Sequence, residues 1–313
     1  MKKEETKKVE AKTQYPHQSL QVIEDHRSVF WKSYKTHNTL KMVVMMVCLA
    51  AIIVAFLVFP NVFKGNSGLQ TGLTITLAVL ALGGTYGYSL YVRKKFDRKL
   101  KEYFFLYFDC VNQYVFEEKG FSDVEVQKPG KITLDEFNEC QLYKDVIEAG
   151  SRGLTTLKYN NIDMSIVDCA GNIKADKRIK PVFVGKMVRS KASYEGDKPV
   201  FVYLKGNDRA LPPTNLDEVK TVLDNEKMFV RSEYKDWKKV LNTKVMKEIE
   251  AIKLDKILVD LALAIYGGKV YIMMGYDDPL MVMPLQNEFN SGPIEGYKKD
   301  ILQIAKLIEA LNK

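Results

Sequence analysis

The chain has 313 residues, 46% of them hydrophobic, and a formal net charge of +8 from 47 Lys and Arg against 39 Asp and Glu. Residues 1–41 carry nine basic and five acidic residues and 93–101 carry six and one, whereas 102–313 carry 31 and 33, a net of −2. A near-neutral remainder without a recognition motif excludes nucleic acid as a partner.

Histidine and cysteine narrow the chemistry further. His17, His26 and His37 all precede residue 41, which removes Ser-His-Asp and Cys-His catalysis and imidazole metal ligation from everything after it. Cys48, Cys110, Cys140 and Cys169 form no C-x-x-C pair, so they suit reduced thiols in a cytoplasmic compartment rather than a disulfide framework or zinc site.

In chain order, residues 1–19 are rich in Lys and Glu with few apolar groups, the composition of a solvated tail. From Leu20 to Tyr34, Leu20, Ile23, Val29, Phe30, Trp31 and Tyr34 mix with His and basic groups. That mixture suits either an interfacial helix or a loosely ordered lead-in. Met42–Phe59 is a run of eighteen apolar residues, roughly 27 Å as a helix, and Leu73–Val92 is a second run; neither contains Asp, Glu, Lys or Arg. Together they predict a transmembrane hairpin, helices 42–59 and 73–92, joined by a turn-rich connection too short to be a domain.

The flanks set its orientation. Arg27, Lys32, Lys35 and Lys41 precede the first run; Arg93, Lys94, Lys95, Arg98, Lys99 and Lys101 follow the second; the connection holds only Lys64. Both termini are therefore expected in the cytoplasm, with the protein multi-pass in the plasma membrane and the second basic cluster against anionic lipid headgroups. Thr74, Ala78, Ala81, Thr85 and Tyr88 recur at helical spacing in the second run, and Gly83 and Gly87 make a G-x-x-x-G pair. Thr74, Gly83, Thr85 and Gly87 are the expected packing residues, against the first helix or another copy. Two spans without an intramembrane charge do not make a pore.

Phe96, Leu100, Tyr103, Phe104, Tyr107, Phe108, Val111, Tyr114 and Val115 keep the helical period, so residues 93–120 read as an amphipathic stalk whose aromatic face meets the next domain or another stalk. Residues 121–313 read as one cytoplasmic α+β domain with mainly antiparallel strands. Thr133-Leu-Asp-Glu136 is a capping box opening a short helix, and Leu154–Val167 a hairpin turning at Asn160-Asn161. Pro181–Tyr194 and Pro199–Lys205 read as strands, Leu216–Asn225 as a helix capped by Asn215, and Met228–Arg231 as a strand. Thr243–Ile252 reads as a helix, Ile257–Ile265 and Lys269–Met274 as a hairpin about Gly267-Gly268, and the segment from about Ile294 as an amphipathic helix.

Chemical candidates are few. Asp277 and Asp278 with Glu288 are a candidate divalent-cation site, against the plainer reading of a solvated turn before Pro279. Gly150-Ser151-Arg152-Gly153 lacks the Lys and spacing of a phosphate loop and reads as an ordinary loop; Asp168, Cys169 and Asp176 match no ligand spacing. Trp237 beside Lys238 and Lys239 reads as a core anchor on a short helix or a contact surface.

Two early spans, the strand pair around Tyr159–Val167, the strands at Val182–Tyr194 and Val200–Leu204, and above all Phe229-Val-Arg-Ser-Glu233, Leu241-Asn-Thr-Lys-Val-Met246 and Gly268-Lys-Val-Tyr-Ile272 carry a resemblance. The chain resembles a bacterial family of two-span membrane proteins with a cytoplasmic α+β domain, a domain-of-unknown-function family. Asp168–Lys180, polar and irregular, departs from its pattern. The resemblance implies the topology and assigns no activity or active-site residues. The expectation is a membrane-anchored cytoplasmic binding or scaffolding protein without a cofactor, its partners the bilayer and either another protein or itself. Alternatives are a tethered small-ligand or lipid sensor and a His-independent enzyme.

Overall fold

A computed structural model describes residues 15–62, 66–128, 131–175, 178–206, 208, 210–216, 219–277 and 285–313. The chain falls into two compact units, one of Met1–Tyr107 with Met283–Phe289, the other of Phe108–Val282 with Asn290–Lys313.

In the first unit, α1 (Gln18–Val62) runs without a break from the lead-in through the first apolar run, as a stretch free of Gly and Pro from Gln18 to Phe59 allows. The second helix, α2 (Ser67–Phe116), likewise joins the second apolar run to the expected stalk. On α1, Val44, Cys48, Ile52 and Ala55 are buried or half-buried; on α2 the same holds for Thr74, Ala78, Ala81, Thr85 and Tyr88. Each set repeats every three or four residues, one stripe per helix, and most of the rest of both runs is exposed, with Phe59, Leu77 and Ser89 half-buried and Val92 buried. Toward the other end, Phe96 of α2 meets Tyr34 and His37 of α1 edge-on, and Phe30 stacks on Tyr103 at 6.0 Å. His37 Nδ1 donates to Ser33 O at 2.9 Å, and its Nε2 accepts from Lys95 Nζ at 3.1 Å.

A later segment, Leu285–Phe289, completes this unit. Arg27 binds Glu24 through two hydrogen bonds of 2.5 and 2.6 Å, and Glu24 Oε2 accepts the Phe289 amide at 2.9 Å. Arg27 also donates to Leu285 O, Tyr15 donates to Phe289 O at 2.8 Å, and the Phe289 ring meets Tyr107 edge-on. Burial opposes the Glu24 charge, but the bonds from Arg27 and Phe289 outweigh it and hold the carboxyl below its ordinary range.

The second unit is built on a nine-stranded, wholly antiparallel sheet. Its strands are β1 (Phe121–Gln127), β2 (Val146–Tyr159), β3 (Ile162–Ala175), β4 (Arg178–Lys191), β5 (Val200–Leu204), β6 (Thr221–Asp224), β7 (Met228–Ser232), β8 (Leu258–Tyr266) and β9 (Lys269–Tyr276). Their order across the sheet is β1-β2-β3-β4-β9-β8-β5-β7-β6. Both expected hairpin turns form: Asn160 and Asn161 have φ of 48° and 67°, Gly267 and Gly268 of 54° and 71°, the left-handed pairs that two-residue turns require. The central strands β5, β8 and β9 are buried on both faces, hence their near-continuous apolar runs.

The helix α3 (Leu134–Asn138) opens with the expected capping box, Thr133 and Glu136 bonding each other's backbone amides. Its Phe137 packs with Tyr143, Phe183, Phe201, Tyr271 and Met273 on one sheet face. Further elements are α4 (Trp237–Val240), α5 (Thr243–Ala251), capped by Asn242, and α6 (Gly292–Leu311). Lys186 Nζ lies 4.6 Å from the centre of the Tyr297 ring, which places α6 on the opposite face, since Lys186 alternates along β4 with the Met187 of the Phe137 cluster. In α4 it is Val240 that is buried, while Trp237 is half-exposed.

Four expectations are corrected. Leu216–Asn225 is not a helix: residues 217–218 lie outside the described ones, and Thr221–Asp224 pairs with β7 as an edge strand. Asn215, rather than capping, donates from its backbone to Leu142 O and from its side chain to Gln141 O, so cross-chain bonding overrides the helical spacing of Leu216, Val219 and Leu223. Gly150–Gly153 belongs to β2, its Gly153 at a bulge with φ of 64° and the Phe108 ring where a side chain would stand. Asp168–Ala175 and Arg178–Lys180 are paired strand ends rather than an irregular stretch, with residues 176–177 outside the described ones. The strand β1, unforeseen, closes the sheet edge with a bulge at Asp123 (φ 51°).

Candidate functional site

In the sheet unit, two cross-strand rows on the face that carries Tyr271 form an open groove of about 480 Å³. The register aligns Thr156, Ser165, Arg189 and Tyr271 in one row; Lys158 pairs with Asp163, and Lys191 with Lys269, in the next. Every cation here meets a carboxylate: Lys158 with Asp123 at 2.7 Å, Lys191 with Asp163 at 3.9 Å, Arg189 with Glu136 at 3.2 Å, Lys269 with Glu139 at 3.6 Å. Tyr271 closes one side by donating to Glu139 Oε2 at 2.9 Å and stacking on Tyr266 at 5.7 Å. Exposed pairs of this kind add little stability each; together they make a surface of alternating charge over an aromatic floor.

Beneath α6 lies a second polar cluster, this one buried. Lys186, 3% exposed in its side chain, pairs with Asp168 across β3 and β4 while capping the Tyr297 ring. Asp168 Oδ2 has no hydrogen-bond partner among the described residues. Next to it Tyr276 donates to Asp300 Oδ2 at 3.4 Å. Burial first, then the Asp255 charge, push the Asp300 carboxyl up to about 7. A third acid, Asp260, is 2% exposed and accepts the Leu211 amide at 2.8 Å and the Gly275 amide; burial pushes it up to about 6. Burial also pushes the Cys140 thiol up to about 12 and raises that of Cys169, so neither is poised as a thiolate nucleophile.

Asp277 directly follows β9, exposed, with its amide on Ile257 O; Glu288 is exposed in the other unit; Asp278, like Asp176, lies outside the described residues. No group of three or more His, Cys, Asp or Glu that would hold a metal occurs among the described residues. On α2, Thr74 is buried and Thr85 donates to Ala81 O at 2.9 Å on the half-buried stripe. Gly83 and Gly87 are on the exposed side, and a Cβ on either would meet nothing within 4 Å. Of the basic cluster, Arg93 pairs with Asp97 and Arg98 with Glu102, Lys95 holds His37, Lys101 lies over the Phe105 ring, and Lys94 and Lys99 are exposed.

Sequence reasoning missed Lys186, Asp260, Arg189 and Tyr271. A lone Lys in Val182–Val188 and a lone Asp in Leu258–Ile265 were the available signals, since an isolated charge in an apolar strand must find a partner.

No family model and no curated protein sequence matches the chain. Among solved structures it is similar to the crystal structure of the mycobacterial trehalose monomycolate transport factor A, TtfA, with a TM-score of 0.34 and 10% identity over 64% of this chain and 93% of that one.

Proposed function

We propose that this is a membrane-anchored binding protein: α1 and α2 cross the plasma membrane, both termini are cytoplasmic, and the sheet unit works on the cytoplasmic side. The observation that carries this reading is exposure. Between Met42 and Val58, and again from Leu73 to Tyr91, large apolar side chains stand 39–68% exposed, and only 6% of each most apolar stretch is buried. The core helix of a soluble protein is buried; these helices are apolar on the outside. At ~1 kcal/mol for each half-exposed side chain, their contact with water would cost on the order of 20 kcal/mol, beyond the 5–15 kcal/mol that stabilises a typical domain. In hydrocarbon the same surface is satisfied, and the lysines and arginines flanking both runs belong at the cytoplasmic face.

The groove supplies the binding surface of this reading. Cations and carboxylates alternating over Tyr271 suit a polypeptide segment carrying both charges, and tethering at the bilayer raises the domain's concentration toward other membrane proteins. The residues lining the groove include no histidine or cysteine, so Ser-His and Cys-His pairs are absent from it. The test is a photo-crosslinking side chain at Lys191 in intact cells, with Lys253 as a remote control. A reproducible foreign adduct at Lys191 alone supports the reading; adducts at neither position, or equally at both, count against the groove.

A further inference from the structure

We propose that the cleft between α1 and α2 at Lys41 binds an anionic glycerophospholipid, headgroup phosphate on Lys41 and the start of an acyl chain along Val44, Met45 and Leu82. This rests on the reading of α1 and α2 as membrane spans. The cleft has a volume of about 430 Å³, within the range of ligand pockets. Its two ends differ in chemistry. Lys41, Tyr88 and Ser89 gather at one end, at the boundary where the eighteen-residue apolar run begins; Val44, Met45 and Leu82, with Thr85 and Tyr86, form the rest. The layer beyond Lys41 is filled, because Phe96 meets Tyr34 and His37 there.

Two observations point to an anion. Lys41 is half-buried and makes no ion pair among the described residues. The chain offers no carboxylate between Asp25 and Asp97, and Asp97 pairs with Arg93. A half-buried lysine with hydroxyls beside it, next to an apolar channel, matches a phosphodiester joined to a hydrocarbon tail. A second copy of α2 fits less well. The small residues that invite helix packing, Gly83 and Gly87, lie about 150° around α2 from the cleft at 100° per residue.

The experiment is native mass spectrometry of the full-length protein released from nanodiscs of equal phosphatidylglycerol and phosphatidylcholine, with Lys41→Gln, Ser89→Trp to fill the cleft, and Lys32→Gln as an exposed-cation control. The expected result is phosphatidylglycerol retained about 10-fold over phosphatidylcholine, a loss of that preference of about 10-fold in Lys41→Gln and in Ser89→Trp, and under 2-fold in Lys32→Gln. Equal loss in Lys41→Gln and Lys32→Gln would mean diffuse surface charge and overturn the site. So would a Ser89→Trp variant that dissociates a dimer while keeping its lipid, the outcome for a second copy. Thermal melts of the three variants within a few degrees of wild type exclude misfolding. Alkaline carbonate extraction separates the two layers of inference: protein released from membranes refutes the spans, whereas protein retained without lipid selection refutes only the cleft.

Discussion

Replacing Asp300 with Asn tests the buried polar cluster quantitatively. Asp300 is faced by Tyr276 of β9 and by Asp255, with Lys299 beside it on α6, and burial followed by Asp255 raises its carboxyl from the ordinary 3.8 to about 7. A carboxyl raised on folding holds its proton more tightly in the folded state, so its contribution to stability is complete below pH ~4 and lost as pH rises through ~7. With 1.36 kcal/mol per unit, the part lost between pH 5 and pH 8 is about 2.5 kcal/mol; Asp260, at about 6, adds about 1.4 kcal/mol over the same window. Asn keeps the shape and an acceptor for Tyr276 but cannot ionise. The assay is urea unfolding of the full chain in detergent, followed through Trp237 after Trp31→Phe. Wild type is expected to lose about 4 kcal/mol from pH 5 to pH 8 and Asp300→Asn only about 1.4 kcal/mol. Equal slopes in the two proteins, or a wild type that gains stability toward pH 8, would mean that burial does not hold the Asp300 carboxyl protonated.

Three further outcomes follow from packing. Gly275→Ala sets a methyl against Asp260 Oδ1 in the middle of the sheet and is expected to cost ~1–3 kcal/mol, read as a lower urea midpoint. Asn161→Val forces a β-branched residue to a φ of 67° and should cost ~1–2 kcal/mol, while Asn161→Gly stays within ~0.5 kcal/mol in the same assay. Glu24→Gln strips the counter-charge from the buried Arg27 and weakens the bond to the Phe289 amide. At ~1.5–3 kcal/mol for a charged hydrogen bond, hydrogen exchange at Phe289 should speed up roughly 10–100-fold, and an unchanged rate would mean the segment is held by its ring alone.

Local signals carried most of the architecture. Asn160-Asn161, Gly267-Gly268 and the Thr133–Glu136 box each specify a backbone geometry within four residues, and each forms where the sequence places it. Between Leu73 and Val92 the buried and half-buried residues of α2 include Thr74, Ala78, Ala81, Thr85 and Tyr88, which share helical spacing. Failures came where a distant partner decides. Thr221–Asp224 is a strand only because β7 lies beside it. Gly150–Gly153 belongs to a strand because β3 supplies the missing bonds. The groove was illegible for the same cause: its charges come from β1, β2, β3, β4, β9 and α3, and only the register brings them together.

The spanning topology is tested most directly by thiol labelling in intact cells with a membrane-impermeant maleimide, at Ser67→Cys in the exposed start of α2 and at Lys235→Cys in the sheet unit. The account predicts labelling of Cys introduced at 67 from outside, and of Cys introduced at 235 only after the membrane is permeabilised. Labelling of both sites from the same side would contradict it.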